Sequence, residues 1–419
     1  MASSEIAHKR AQAFIFEALH LDTRLPEQAS VLQMQAEDWD YLLQIAKEHR
    51  LGAMLHHRLK RDDLAHIIPE QVLTSLKAAY RKSALRSLVV YRELAKVTQL
   101  LEAEGIPSIA LKGAYLARFA YPDPALRPMR DIDLLLKPEQ AIKAFELLKG
   151  YGYRPMFDAS PEAYLIENEH FAPLMSPEDI SVELHHRLNE SDQEQASVCG
   201  SEDEMWRRSL LKQVGGMQIR FLAPEDLLLH LCVHATVRHH FNLGALALAD
   251  VVFLIETHSI DWGAFLKAVS TGGGQHCALA LLYLAKKNMG ANIPDKVIAA
   301  LSSSKRDMLW TDNAEYLLFS ALPDHRLATN GLSFLYTDSF FGKFDALIGF
   351  VFPRRSEMAK HFPIRPDSTS IMVLRCHLQR WKRLFYKTLA FLLKQKRPVR
   401  QLALHRTAFN NWLHEKSPH

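Results

Sequence analysis

Asp131 and Asp133 stand one residue apart in "RDIDLLLK", inside a run that would otherwise be an unbroken apolar strand. Side chains at i and i+2 of a strand project to one face, so this spacing sets two carboxylates roughly 6–7 Å apart. Like charges that close repel, and burying them is costly unless a cation sits between. A hard divalent ion with oxygen ligands, most often Mg2+, resolves the conflict. Glu183 in "ISVELHH" offers a third acid among core-forming neighbours, with Val182 and Leu184 facing the other way. If its strand lies beside the first, the three acids could hold two ions as phosphoryl transfer requires. Two Mg2+ ions are expected, with Mn2+ as a substitute.

Upstream, "LKG" puts Lys112 and Gly113 at a strand-to-helix turn. Glycine there permits close backbone approach, and the N–H groups of the following helix suit a phosphate. Lys112 would add positive charge. Arg127 and Arg130 either neutralise phosphate or form loop salt bridges to Asp123 or Asp131. His185 shares the face of Glu183 and would support a metal-bound water or the acceptor, unless it is only a half-exposed strand histidine; His186 points away. His230 and His234 have a spacing that zinc can use, but they lack the H-E-x-x-H glutamate and a further ligand. They are expected to face the core or stack along the helix. Asp250, alone in "LALADVVFLI", needs a partner if buried, and Arg238 or a neighbouring histidine is expected. "TGGGQH" lacks the Lys-Ser/Thr end of a P-loop and reads as a helix-ending loop.

An α+β arrangement must position these residues. Residues 1–100 read as helices: "AEDWDYLLQIAKEHRLGAMLHHRLK" carries a helical stripe from Trp39 to Leu55, and a long helix follows from about Pro69 to Glu104. The catalytic core is expected over 101–222. It comprises a strand in "GIPSIALKG", a short helix (114–120), the D-x-D strand, a helix opened by Pro138, a strand in "YRPMF" and a hairpin turning at Ser-Pro-Glu-Asp. Residues 223–419 read as a helical region with a basic tail.

The chain has 419 residues, 48% hydrophobic and 23% charged, a composition that excludes disordered and fibrous classes. No run approaches 18 apolar residues, so no transmembrane helix is expected. The first twenty residues do not read as a secretory signal. Cys199, Cys232, Cys277 and Cys376 are scattered without C-x-x-C spacing, which suggests reduced thiols in a cytoplasm. From Arg375 onward eleven Lys or Arg face one acid, Glu415. That tail (375–419) would contact RNA phosphates or an anionic membrane surface, or dock an apolar stripe on the body with its basic side solvated.

"LKGAYLARFAYPDPALRPMRDIDLLL" resembles the core signature of the polymerase-β-like nucleotidyltransferase superfamily. With "VELHHRL", "APEDLLLHLCVHA", "LADVVFLI" and "IDW", it resembles more narrowly the bacterial uncharacterised nucleotidyltransferase family, from about residue 37 to beyond 300. The resemblance implies a small mixed sheet with helices and metal-dependent transfer of a nucleoside monophosphate from an NTP, with pyrophosphate leaving. It implies that Asp131, Asp133 and Glu183 hold the metals and that Lys112, Gly113, Arg127 and Arg130 meet the nucleotide. The acceptor is not identified: a small molecule, saccharide, peptide, protein or RNA end would serve. Many superfamily members follow the turn glycine with serine, whereas this chain has Ala114. That departure suits an alternative, a non-catalytic nucleotide- or RNA-binding relative of the same fold.

Overall fold

The computed structural model describes residues 2–20, 33–61, 64–156, 161–188, 202–302, 305–319, 369–393 and 397–413, with positions 352, 353 and 358. Among the described residues four α-helices precede the first strand: α1 (Ala2–Leu19), α2 (Ala36–Glu48), α3 (Gly52–Arg61) and α4 (Glu70–Ala103). The 34 residues of α4 span about 50 Å at 1.5 Å per residue. The helix buries Val90, Leu94, Val97 and Leu101, the three- and four-residue spacing that lays one face on a core. Gly105, at φ +68, ends the run.

The stripe from Trp39 to Leu55 is one helix by periodicity and two in the structure. Arg50 takes φ 58, a left-handed conformation through which a helix cannot continue. Leu51 N–H donates to the Ala46 carbonyl at 2.8 Å and Arg50 N–H to the Lys47 carbonyl at 3.4 Å. This is the Schellman closure, with arginine where glycine is usual. Apolar spacing continues across the break because both helices face the same core, so periodicity alone conceals it.

One seven-stranded mixed sheet follows, built from β1 (Ser108–Ala110), β2 (Asp131–Leu136), β3 (Arg154–Pro155), β4 (Leu174–Met175), β5 (Ser181–His185), β6 (Leu210–Val214) and β7 (Met217–Phe221). The order is β3-β4-β5-β2-β1-β7-β6. β2 runs parallel to β5 and antiparallel to β1. Ile132 and Leu134 to Leu136 are buried, as expected for a strand covered on both faces. The hairpin expected around Ser-Pro-Glu-Asp is β4–β5. The β6–β7 hairpin, turned by Gly215 and Gly216 at positive φ, was not legible in the sequence; its β7 pairs parallel with β1.

Helices flank the sheet: α5 (Gly113–Phe119), α6 (Pro138–Gly150), α7 (Pro161–Glu167) and α8 (Glu202–Arg208) between strands, then α9 (Pro224–Val233) and α10 (Ala245–Thr257). A π-helical turn, His234–Arg238, extends α9. The helices α11 (Trp262–Gly272), α12 (Gln275–Met289), α13 (Asp295–Leu301) and α14 (Lys305–Phe319) follow. Two more lie in the basic tail, α15 (Ser370–Leu393) and α16 (Arg397–Leu413). Phe409 and Trp412 of α16 are buried, whereas α15 exposes Ile371, Leu374 and Leu378. Tail residues 394–396 and 414–419 and Cys199 lie outside the described residues; Cys232, Cys277 and Cys376 are buried thiols that form no disulfide among the described residues. No described helix is long and apolar enough to cross a membrane.

Candidate active site

The β2–β5 register sets Asp133 opposite Glu183 and Asp131 opposite Ser181. Carboxylates directly across a ladder repel each other, yet Asp133 is buried and Glu183 half-buried. His185, two residues beyond Glu183, projects to the same face. One ligand atom from each of Asp133, Glu183 and His185 falls within 4.8 Å of the others. Asp131 is exposed at the strand's beginning and is not in that trio, so the structure adds a histidine to the expected acids and sets Asp131 to one side.

Lys112 reaches the trio through the backbone. The Leu111 N–H donates to the Asp133 carbonyl at 3.0 Å, which carries β1's chain past its last strand residue and alongside β2. Lys112 then turns at φ 47, ψ −115, a conformation that favours glycine and strains a residue with a side chain. Its Nζ lies 2.9 Å from Asp133 Oδ1. His185 Nε2 is 3.0 Å from the same oxygen and 3.8 Å from Glu183 Oε2.

The charges distribute unevenly over this cluster. Burial opposes ionisation of Asp133, but the Lys112 charge and the His185 hydrogen bond overcome it and hold the carboxyl far below its usual range. Glu183, buried beside Asp133 and Asp131, is pushed up to about 8. Asp131 is also raised, by surrounding protein and by the charge of Asp133. Burial takes His185 down to about 4, so its ring is neutral; a tautomer with its proton on Nε2 would donate to Asp133 across the 3.0 Å contact, and one with its proton on Nδ1 leaves Nε2 free for a cation. The Lys112 ammonium offsets Asp133, and the raised Glu183 and Asp131 hold protons that a divalent cation could displace. With the Glu183 proton displaced, two carboxylates and a neutral imidazole form a donor set that fits a divalent cation.

Arg127 meets an acid that neither alternative named. Arg127 Nε and Nη2 donate to the two oxygens of Asp250 at 3.1 and 2.9 Å, and the Tyr121 hydroxyl donates to Oδ1 at 2.8 Å. Asp250 is therefore paired with Arg127 and Tyr121, not with Arg238 or a histidine. Arg238 instead pairs with Glu169. The salt bridge from Arg127 to Asp123 or Asp131, one of the two alternatives for it, does not form; Asp123 caps the turn at Ala125 and accepts from Tyr80. A Cβ at Gly113 would lie 2.3 Å from Arg127 Nη1, so the glycine is where it is because a guanidinium lies against the turn. Arg130 is exposed, and its carbonyl accepts from Arg86 at 3.0 Å.

All eight expected residues line one cavity of about 410 Å³: Lys112, Gly113, Arg127, Arg130, Asp131, Asp133, Glu183 and His185. The sequence reading did not place Arg50, His170 or Glu169 there. The left-handed turn between α2 and α3 brings Arg50 in, and the π-helical turn contributes His234, Ala235 and Arg238. Burial, together with the Arg127 and Arg130 charges, lowers Arg50 to about 10. His230 and His234 stack with centroids 5.7 Å apart; His230 is buried behind the site, as expected of a core histidine, whereas His234 is half-buried and lines the cavity. His186 packs against Phe171.

A family model described as uncharacterised nucleotidyltransferase matches residues 35–290. No curated protein matches the chain. The matched segment, more than half of the chain, takes in the three acids, the Lys-Gly turn and Asp250, and the protein therefore belongs to the uncharacterised nucleotidyltransferase family and is a transferase.

Proposed function

We propose that the protein transfers a nucleoside monophosphate from an NTP to an acceptor hydroxyl or phosphate, with a divalent cation at Asp133, Glu183 and His185 and pyrophosphate as leaving group. The observation that carries this reading is the β2–β5 register, which faces Asp133 with Glu183 and brings His185 within ligand distance of both. The bound cation would neutralise phosphate charge and polarise the reacting phosphoryl group. Asp131, at the open end of β2, is suited to a second ion shared with the triphosphate. Mg2+ is the expected metal, and the imidazole nitrogen makes Mn2+ a good fit.

The chain's own residues do the rest by positioning. Arg127, pinned by Asp250 against the Gly113 backbone, presents its remaining donor edge to phosphate. Lys112 holds Asp133 ionised, and Arg130 and Arg50 add positive charge at the rim. When the acceptor is a hydroxyl, Glu183 is the group whose carboxylate takes the proton. In this reading residues 101–222 form a polymerase-β-like catalytic core, and helical regions 1–100 and 223–419 shape the acceptor side. The protein would act in a cytoplasm, where its buried thiols stay reduced.

Two observations favour a second reading, a nucleotide-binding relative without turnover: Lys112 pairs with Asp133, and Ala114 stands where many members of the resembled superfamily carry serine. Incubation with Mg2+ or Mn2+ and each NTP labelled at the α-phosphate, against a panel of acceptors, separates the two. Transfer that disappears in an Asp131→Ala/Asp133→Ala variant supports the first reading. Transfer that persists in that variant removes it.

A further inference from the structure

A second, larger cavity adjoins the first. Its volume is about 920 Å³, at the upper end of what small-molecule sites occupy. Arg50 and Arg130 line both cavities, so the two meet at those residues. The body of the second cavity lies between α2, α3 and α4 and is apolar, with Leu43, Leu76, Leu85 and Val89 on its walls. Gly52 allows α3 to approach α4 closely at its floor: a Cβ there would lie 2.8 Å from Ala79 Cβ.

Its charge is one-sided. Lys47, Arg50, Lys82, Arg86 and Arg130 are among the seventeen lining residues, and no carboxylate is. Among the described residues no ion pair joins Lys47, Arg50, Lys82 or Arg130 to an acid. An apolar trough rimmed only by cations, opening at two arginines onto an acid-lined site, is complementary to a molecule with an apolar body and an anionic head.

We infer that this cavity binds the acceptor, and that the acceptor is an amphipathic phosphate monoester whose apolar portion lies between α2, α3 and α4 and whose phosphate meets Arg50 and Arg130. The inference rests on the nucleotidyltransferase reading and names the acceptor class for that site. The step balances: a phosphate oxygen attacks the α-phosphorus of the NTP, the bond from that phosphorus to its bridging oxygen breaks, and pyrophosphate leaves with the electron pair. A phosphate dianion brings no proton that must be removed. The product is a nucleoside diphosphate ester of the apolar group.

The test uses the full chain with hexyl, octyl and decyl phosphate below their micelle concentrations, inorganic phosphate, octanol and octanoate, with binding followed calorimetrically in the absence of NTP. Affinity should rise about three- to fourfold per added methylene until the cavity is filled, with octanol, octanoate and inorganic phosphate at least tenfold weaker than octyl phosphate. Leu85→Asp, on an exposed wall of the cavity, should weaken octyl phosphate at least tenfold. Leu88→Asp, one helical step away, exposed and outside the lining, should leave it unchanged. Affinity that ignores chain length, octanoate equal to octyl phosphate, or equal effects of the two variants would overturn the inference and leave nucleotidyl transfer standing. With NTP and Mn2+ added, octyl phosphate should become a nucleotide-linked product. Binding without product, in protein that transfers to another acceptor, overturns the acceptor role. Absence of transfer to any acceptor instead removes the underlying reading.

Discussion

Replacing Asp250 by alanine tests the scaffold behind the site, because Asp250 accepts three hydrogen bonds, two from Arg127 and one from Tyr121. The guanidinium of Arg127 and the carboxylate of Asp250 are 13% and 5% exposed. Removing one member of such a buried pair leaves an uncompensated charge, at a cost of about 3–5 kcal/mol. The Tyr121 hydroxyl loses its acceptor at the same time, which keeps the expected loss in the upper half of that range. Asp250→Asn retains an acceptor for Tyr121 and should cost less than Asp250→Ala. A double variant, Arg127→Met/Asp250→Leu, removes both charges and should return to within about 2 kcal/mol of the parent. Urea unfolding with an unchanged m-value measures all three. Function should separate from stability: the double variant folds but binds a fluorescent NTP analogue at least tenfold more weakly, because no guanidinium lies against Gly113. A loss below about 1 kcal/mol in Asp250→Ala, or parental NTP affinity in the double variant, would refute the reasoning.

Three further outcomes follow from the same geometry. Gly113→Ala forces a Cβ to within 2.3 Å of Arg127 Nη1, so it should destabilise by about 1–3 kcal/mol, and by less when Asp250→Ala has already freed the guanidinium; equal costs in both backgrounds would show that the two do not press on each other. Lys112→Gly and Lys112→Ala both remove the ammonium, but only glycine relieves the strained φ of 47. The glycine variant should therefore be more stable by about 1–2 kcal/mol in thermal unfolding, while transfer falls at least about 100-fold in both; an alanine variant as stable as the glycine one would contradict the strain argument. His185→Ala should cut Mn2+ affinity at least about tenfold, read by electron paramagnetic resonance of free Mn2+, and Mg2+ affinity by less. Unaltered Mn2+ affinity would remove His185 from the ligand set.

The acids were visible in the sequence because each breaks a local rule. Asp131 and Asp133 interrupt a buried strand, and Glu183 stands between Val182 and Leu184. The glycine turn, the long α4 and the β4–β5 hairpin were legible for similar reasons, through spacing and turn residues acting over a few positions. Asp250 was visible as an anomaly, but its partner was not: Arg127 lies 123 residues away, and nothing local distinguishes it from Arg238. Arg50 left no signal, because apolar residues on both sides of the α2–α3 break face one core and the stripe continues. The β6–β7 hairpin was obscured by strands that alternate weakly and by a turn whose glycines resemble any loop.

The amino-acid sequence by itself determined which residues carry charge, most of the helices and the strands around the acids, and that two carboxylates share a strand face, since those follow from side-chain chemistry and backbone periods of two and 3.6. Tertiary structure decided what those charges meet. The parallel register of β2 and β5 set Glu183 against Asp133 and brought His185 into the cluster, and the strained turn at Lys112 delivered an ammonium to the same carboxylate. Such pairings depend on which distant strands and helices bury their apolar faces together, and that choice is made by the packing of the whole chain rather than by any window of it.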